Sequence, residues 1–302
     1  MIYYFRLFFF NKYLLNIKVC LCTPVKDENR YIREFIEFYK NYGVDKIFLY
    51  DNNDIQGEKI KPIIMDYLNK GFIKIMNWRG KKKSLYPMMN DCYKKNYRHY
   101  DWIVFYEVDE YIHLKNYNNI KLYLNQEKFK KCQTIHLNWV YHTDNNLINY
   151  DNRKLRERFP EVEPKAKNNI TNTNPLVKSI IKGNIHNITI DNVHQLNEKL
   201  KGCNGFGESQ TIYGGRSHGA DYSYYYIDHY FSKSLSEFVE KINKGDVSHY
   251  QAKWFKMFRI SQYFSVNQLS LEKINYLENH TKLNLSKYRT KLTKNQKFKS
   301  TK

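Results

Sequence analysis

No G-x-x-x-x-G-K followed by Ser or Thr occurs in this chain, and no glycine-rich fingerprint follows its first strand-like segment. The first absence excludes a P-loop NTPase and the second a Rossmann dehydrogenase. Cysteine is scarce: five residues (Cys20, Cys22, Cys92, Cys132, Cys203), odd in number and scattered. That argues against a disulfide framework and for a reducing compartment, with a cytoplasmic location as the expectation. Cys20 and Cys22 are spaced for one face of a strand rather than as a zinc-type C-x-x-C, so both read as small buried hydrophobes. No apolar run reaches the ~20 residues of a membrane-spanning helix. Met1–Leu15 is rich in Phe, Leu and Tyr but is broken by Arg6 and Lys12 and lacks a small-residue cleavage site. No internal repeat is visible. Acids are few beside bases, 30 Asp and Glu against 50 Lys and Arg, for a formal charge of +20. Abundant Lys, Asn, Tyr, Ile and Phe point to AT-rich coding as one source of that excess. The remainder suits nucleic acid, an anionic membrane surface or a phosphorylated substrate. Residues 285–302 hold seven Lys or Arg and no acid, which reads as a solvated tail or as an anchor for anionic lipid.

What is present is a folded α/β chain. Apolar content of 42% over 302 residues is enough for a sizeable core. Val19–Thr23, Lys46–Tyr50, Phe72–Met76 and Trp102–Tyr106 read as strands. Between them, Ile32, Phe35, Ile36 and Tyr39 recur at helical spacing, as do Ile60, Ile63, Ile64, Tyr67 and Leu68, and Leu85, Met88, Met89 and Cys92. Alternation of this kind predicts βαβ units and a mostly parallel sheet. Right-handed crossovers then align the strand ends, and with them Thr23, Asp51 and Glu107, along one edge. Further on, Thr134–Tyr141 is strand-like, 142–175 reads as a long loop, and Ser179–Ile181 and Ile185–Ile190 as short strands. Residues 202–219 are glycine-rich. Ser234-Leu235-Ser236-Glu237 is a capping box; it opens a helix with Leu235, Phe238, Val239 and Ile242 as its buried stripe, ended by Gly245. Residues 250–280 look helical, and the last twenty or so read as poorly ordered. The expected organisation is an apolar segment 1–16, an α/β domain 17–248 and a helical extension 249–302 with the basic tail.

The run Trp102–Tyr111 carries the most chemistry: an apolar strand ending in Glu107, Asp109 and Glu110. Ligands of open α/β sheets bind at strand carboxyl ends, and Mg²⁺ or Mn²⁺ is held there by one or two carboxylates plus substrate phosphates. A solvated acidic turn is the plainer alternative. Polar clusters after strand one (Thr23 to Asn29) and strand two (Asp51-Asn52-Asn53) fall on the same edge.

Four collinear blocks resemble glycosyltransferase family 92 and its family-2-like relatives. They are Glu28–Phe38 running on to Tyr42–Asn53; Trp102–Ile112, similar to a D-x-D-E-F/Y-I/L segment; Ser179–Lys182 followed by His194; and His229–Phe238 with Lys241 and Gly245. The resemblance spans about residues 18–246 and implies a GT-A fold, a nucleotide-sugar donor, UDP-linked in the usual case, and a divalent cation, Mn²⁺ or Mg²⁺. It implies that Thr23, Glu28, Asp51 and Asn52 line the nucleoside pocket. Glu107 and Asp109, with His229 or His194, would hold the metal. Lys233 or Arg216 would pair with phosphate, and Trp139 or the Tyr222–Tyr226 cluster would stack on sugar. Glu110, Asp144 and Glu208 are the candidate bases. Glu107 departs from the pattern, which has Asp there. An inactive basic module binding nucleic acid or anionic membrane, and a nucleotidyltransferase, are the competing readings.

Overall fold

The computed structural model describes residues 17–82, 84–167, 176–244 and 253–300. The apolar segment 1–16 and Gly245 lie outside them. The chain divides into two compact units, one within Met1–Val140 and Asn168–His229, the other within Tyr141–Lys167 and Tyr230–Lys302.

The first unit is the α/β body. Strands β1 (Val19–Val25), β2 (Lys46–Asp51), β3 (Ile73–Asn77) and β4 (Trp102–Phe105) form its parallel half in the order β3-β2-β1-β4. Register places Val25 beside Asp51 and Cys22 beside Phe105, so the strand-end polar clusters do share one edge. Helix α1 (Ile32–Asn41) buries Ile32, Phe35, Ile36 and Tyr39, each contributing about 1.5–3 kcal/mol by leaving water. It stops at Gly43, whose φ of +89° suits a residue without Cβ. Between β2 and β3 the helical stretch is a 3₁₀ turn followed by α2 (Met65–Asn69), and α3 (Leu85–Asn96) leads into β4.

Beyond β4 the sheet turns antiparallel. Strand β5 (Glu110–Leu114) begins within the acidic segment itself, and α4 (Ile120–Leu124) follows. Strand β6 (Thr134–Tyr141) pairs antiparallel with β7 (Val177–Lys182), and β7 antiparallel with β4. Two-residue β8 (Gly202–Cys203) joins β6 in parallel, while β9 (Ile212–Tyr213) and β10 (Arg216–Ser217) form a small ribbon. Strand β11 (Tyr225–His229) lies between β6 and β5 and pairs antiparallel with the latter. Ile185–Ile190, expected as a strand, has no regular structure; Ile190 packs in the core, and its backbone N–H and carbonyl are both held by the Asn90 side chain rather than by a neighbouring strand.

The cysteine expectation is corrected. Cys22 of β1 is bonded to Cys92 of α3, and Cys132 to Cys203 of β8, leaving Cys20 as the buried free thiol. Two bridges and one thiol make an odd total, so an odd count is no argument against pairing, and the inference of a reducing compartment loses its basis.

The second unit holds the one-turn helices α5 (Leu155–Arg158) and α6 (Pro164–Lys167), then α7 (Leu235–Lys244), α8 (Lys253–Val266), α9 (Leu271–Thr281) and α10 (Ser286–Ser300). The segment 142–167 is therefore not all loop. The stripe Leu235, Phe238, Val239 and Ile242 packs with Ile260, Tyr263, Ile274 and Leu277. That packing is why the division falls near residues 141 and 230 rather than at 248. The basic tail is helical to Ser300: it lacks Pro and Gly, Arg289 pairs with Glu278, and Tyr288 is buried. Among the described residues, no helix is long and apolar enough to cross a membrane.

Candidate active site

The acids that follow β4 meet a lysine that arrives from β7. Lys178 Nζ lies 2.7 Å from Glu107 Oε1 and 3.3 Å from Glu110 Oε1. Only the first contact has hydrogen-bond geometry. Antiparallel pairing of β7 with β4 carries Lys178, two residues before Ile180, past the end of β4, because Ile180 sits opposite Val104. Glu110 is pinned from two sides. Its Oε2 accepts from the Glu107 N–H at 3.0 Å, and its carbonyl accepts from the Tyr39 hydroxyl at 2.8 Å, which in turn accepts from the Ile112 N–H.

Burial raises the Glu110 carboxyl to about 8; the Lys178 charge opposes this, and Glu107 and Asp109 add to it. Burial also pushes Glu107 upward, but the Lys178 ammonium wins and holds that carboxyl below its usual range. At neutral pH the charged pair is thus Lys178 with Glu107, and Glu110 keeps its proton. An unfolded Glu ionises near 4.5. The stability that Glu110 contributes is therefore present below that pH and lost as pH climbs through about 8. Glu110→Gln removes this titration. Its melting temperature is expected to gain on that of the wild type from pH 5 to pH 8.5, and a difference that does not change with pH would refute the assignment.

Two histidines flank Trp139 of β6. The indole lies 4.2 Å from the His229 ring and 4.9 Å from the His194 ring, with Lys178 Nζ 5.6 Å away. Trp139 is 8% exposed, so its ring is engaged with side chains rather than presented to a sugar. His194 Nδ1 contacts the Val177 carbonyl at 2.8 Å. With Nδ1 as donor, the lone pair is on Nε2. Burial, then the Lys178 charge, lowers the imidazole to about 4, so it is neutral at physiological pH. The Ser179 hydroxyl donates to the His194 carbonyl and accepts from His136 Nδ1. Gly215 backs the ring: a Cβ there would stand 2.5 Å from that of His194. His229 ends β11 opposite Glu110, and its Nε2 is 3.7 Å from Asp109 Oδ1.

Thr23, Glu107 and Lys178 line a pocket at the carboxyl ends of β1 and β4, walled by Tyr50, Met88 and Phe105. The other expected nucleoside contacts have structural partners. Asp51 accepts from Arg79 Nη1 at 2.9 and 3.1 Å, and Arg79 also binds the carbonyls of Asp54, Gly57 and Glu58, folding that loop around its guanidinium. Asn52 donates to the carbonyls of Trp78 and Lys81 and accepts from Ser84. The Glu28 carbonyl caps the start of α1.

Among the candidate bases, Asp144 belongs to the second unit, ion-paired to Lys273 at 2.6 Å and bonded to the Tyr263 hydroxyl. In that unit it serves as a counter-ion inside the helical core. Glu208 is exposed and closes a turn with Asn204. Lys233 is also in the second unit, buried, at φ +52°. Arg216 of β10 adds to the positive field on His194. The Tyr222–Tyr226 cluster is partly sheet packing: Tyr226 stacks on His113 and Tyr225 packs against Tyr123 and Phe206.

Among the described residues, no three His, Cys, Asp or Glu side chains converge on a metal position. Glu107, expected as a ligand, has Lys178 as its partner. Asp109 would then be the carboxylate left to hold a divalent cation, with substrate phosphates and water as the partners usual for Mg²⁺. Lys178 and Arg79 are site residues that sequence reasoning does not find. Neither lies in a polar cluster, and each meets its acid only through strand pairing or loop closure.

A glycosyltransferase family 92 protein of Oryza sativa subsp. japonica is 27% identical over 95 residues, 32% of this chain and 16% of that protein. One of Ricinus communis is 26% identical over 105 residues, 34% of this chain and 18% of that protein. The matches thus span less than a fifth of those relatives. Among solved structures, S. aureus TarS 1–349 in complex with UDP-GlcNAc is similar at 14% identity and a TM-score of 0.42, with 87% of this chain and 80% of that one covered. The model of glycosyltransferase family 92 matches residues 16–267, most of the chain and every strand described above, and on that match the chain belongs to this family.

Proposed function

We propose that this protein transfers a sugar from a nucleotide-sugar donor, UDP-linked in the first instance, to a glycan acceptor. The observation that carries the reading is the pocket where Thr23, Glu107 and Lys178 meet at the strand ends, in a chain of family 92. Its apolar wall of Tyr50, Met88 and Phe105 suits a flat base, and its polar end suits a diphosphate. In the transfer, an acceptor oxygen bonds to the anomeric carbon as the anomeric carbon–oxygen bond to the diphosphate breaks. The bonding pair passes to the phosphate oxygen, and the acceptor proton is released. Mn²⁺ or Mg²⁺ is part of the proposal: Asp109 would hold it, and it would supply Lewis-acid stabilisation of the departing diphosphate charge. In this reading His194, neutral and with its Nε2 lone pair set by the Val177 contact, would accept a hydrogen bond or ligate through Nε2.

The test is to incubate purified protein with a panel of UDP-sugars and Mn²⁺ and follow UDP release. Release is expected with at least one donor and is expected to fall by about tenfold or more in Asp109→Ala, the scale of losing one metal-held phosphate contact. No release with any common donor, together with unchanged nucleotide binding in Asp109→Ala, would sink the reading.

A further inference from the structure

We propose that Lys178 is a tethered cation for the donor diphosphate, an inference that rests on the nucleotide-sugar reading above. The Lys178 side chain is 4% exposed, yet it lines the pocket beside Thr23. Taking an ammonium out of water is costly, and the chain compensates with the Glu107 carboxylate at 2.7 Å, while the Glu110 carboxyl stands 3.3 Å away on the buried side. These two partners differ. Glu110 is fully buried behind the lysine, whereas the Glu107 side chain is 43% exposed. The ammonium is thus fixed from behind and covered on its open side by a single carboxylate that can turn to solvent.

Two strands, not a loop, set the position: β7 pairs with β4 on one side, and on the other Lys178 faces Leu137 of β6. A lysine held this way is a point charge suited to a phosphate oxygen. When a donor enters, one of its phosphate oxygens replaces Glu107 on Nζ. The ammonium then faces the oxygen that receives the electron pair as the sugar leaves, so its charge counts most in the transition state. No proton moves in this step. The rival role is that of a structural counter-ion, which holds Glu107 and Glu110 together and never meets substrate.

Calorimetric titration with UDP and with uridine, in EDTA, separates the two. The wild type is expected to prefer UDP to uridine by about tenfold without metal, the size of a charge-assisted hydrogen bond. Lys178→Met alone strands the Glu107 charge and risks misfolding, so the decisive variant is Lys178→Met/Glu107→Gln, compared with Glu107→Gln. The double variant is expected to melt close to Glu107→Gln, to bind uridine equally well, and to lose the preference for UDP. Equal UDP affinity in the two variants overturns the inference. So does a wild type that prefers UDP only when Mn²⁺ is added, a result that leaves the donor reading standing. A wild type that binds no nucleoside diphosphate under either condition overturns the donor reading, and Lys178's role with it.

Discussion

Arg158→Met is expected to lower the stability of the helical unit by about 3–5 kcal/mol, the usual cost of breaking a buried ion pair by removing one partner. Arg158, at the end of α5, is 1% exposed and meets the 2% exposed Glu237 of α7 through two contacts, at 2.7 and 3.0 Å. Glu237 has a second duty. Its Oε2 accepts from the Ser234 N–H at 3.0 Å and from the Ser234 hydroxyl, so the same carboxylate caps α7 and neutralises Arg158. Without Arg158 the cap from Ser234 remains, but the buried carboxylate loses its two guanidinium contacts. Arg158→Met/Glu237→Gln keeps an acceptor for Ser234 and removes the stranded charge. It is therefore expected to recover much of the loss. Urea denaturation at constant slope measures both. A double variant as unstable as Arg158→Met would mean that lost packing of Arg158 on Tyr150 and Phe159, and not the charge, sets the cost.

This pair shows which parts of the molecule can be read from a linear sequence. The capping box is local, four residues long, and both ends of its hydrogen bonding are visible in Ser234 and Glu237. The arginine that completes it is 79 positions away. The same division holds at the candidate site. Thr23, Asp51 and Glu107 are legible as one edge because parallel βαβ units force strand ends into line. Lys178, 71 positions from Glu107, is not, because its place depends on the antiparallel insertion of β7 beside β4. Strand β5 is hidden by its own chemistry: Glu110 to Leu114 reads as the tail of an acidic motif, yet all but His113 are buried and the strand pairs with β11. Asp51 is placed correctly in the fold by its spacing, but its Arg79 partner comes from a loop that no periodicity describes.

The disulfides are the least legible feature, and they carry the second large effect. Cys22–Cys92 and Cys132–Cys203 close segments of 70 and 71 residues. Cross-links of that span restrict the unfolded chain enough to contribute about 4 kcal/mol each. The two differ in what they hold. Cys132 and Cys203 join the start of β6 to β8, apart from the pocket lining. Cys22 precedes Thr23 on the pocket floor, and Cys92 lies on α3 one turn beyond Met88 and Met89, which form the pocket wall. Breaking that bridge frees the wall from the floor. Cys22→Ala/Cys92→Ala and Cys132→Ala/Cys203→Ala are thus expected to lose similar stability, while only the first loses nucleotide affinity, by several-fold in a UDP titration. Equal affinities in the two variants would show that β1 and the buried faces of Met88 and Met89 hold the wall without the bridge. The reverse order, with the Cys132 pair the more damaging to binding, would contradict the location of the donor pocket itself.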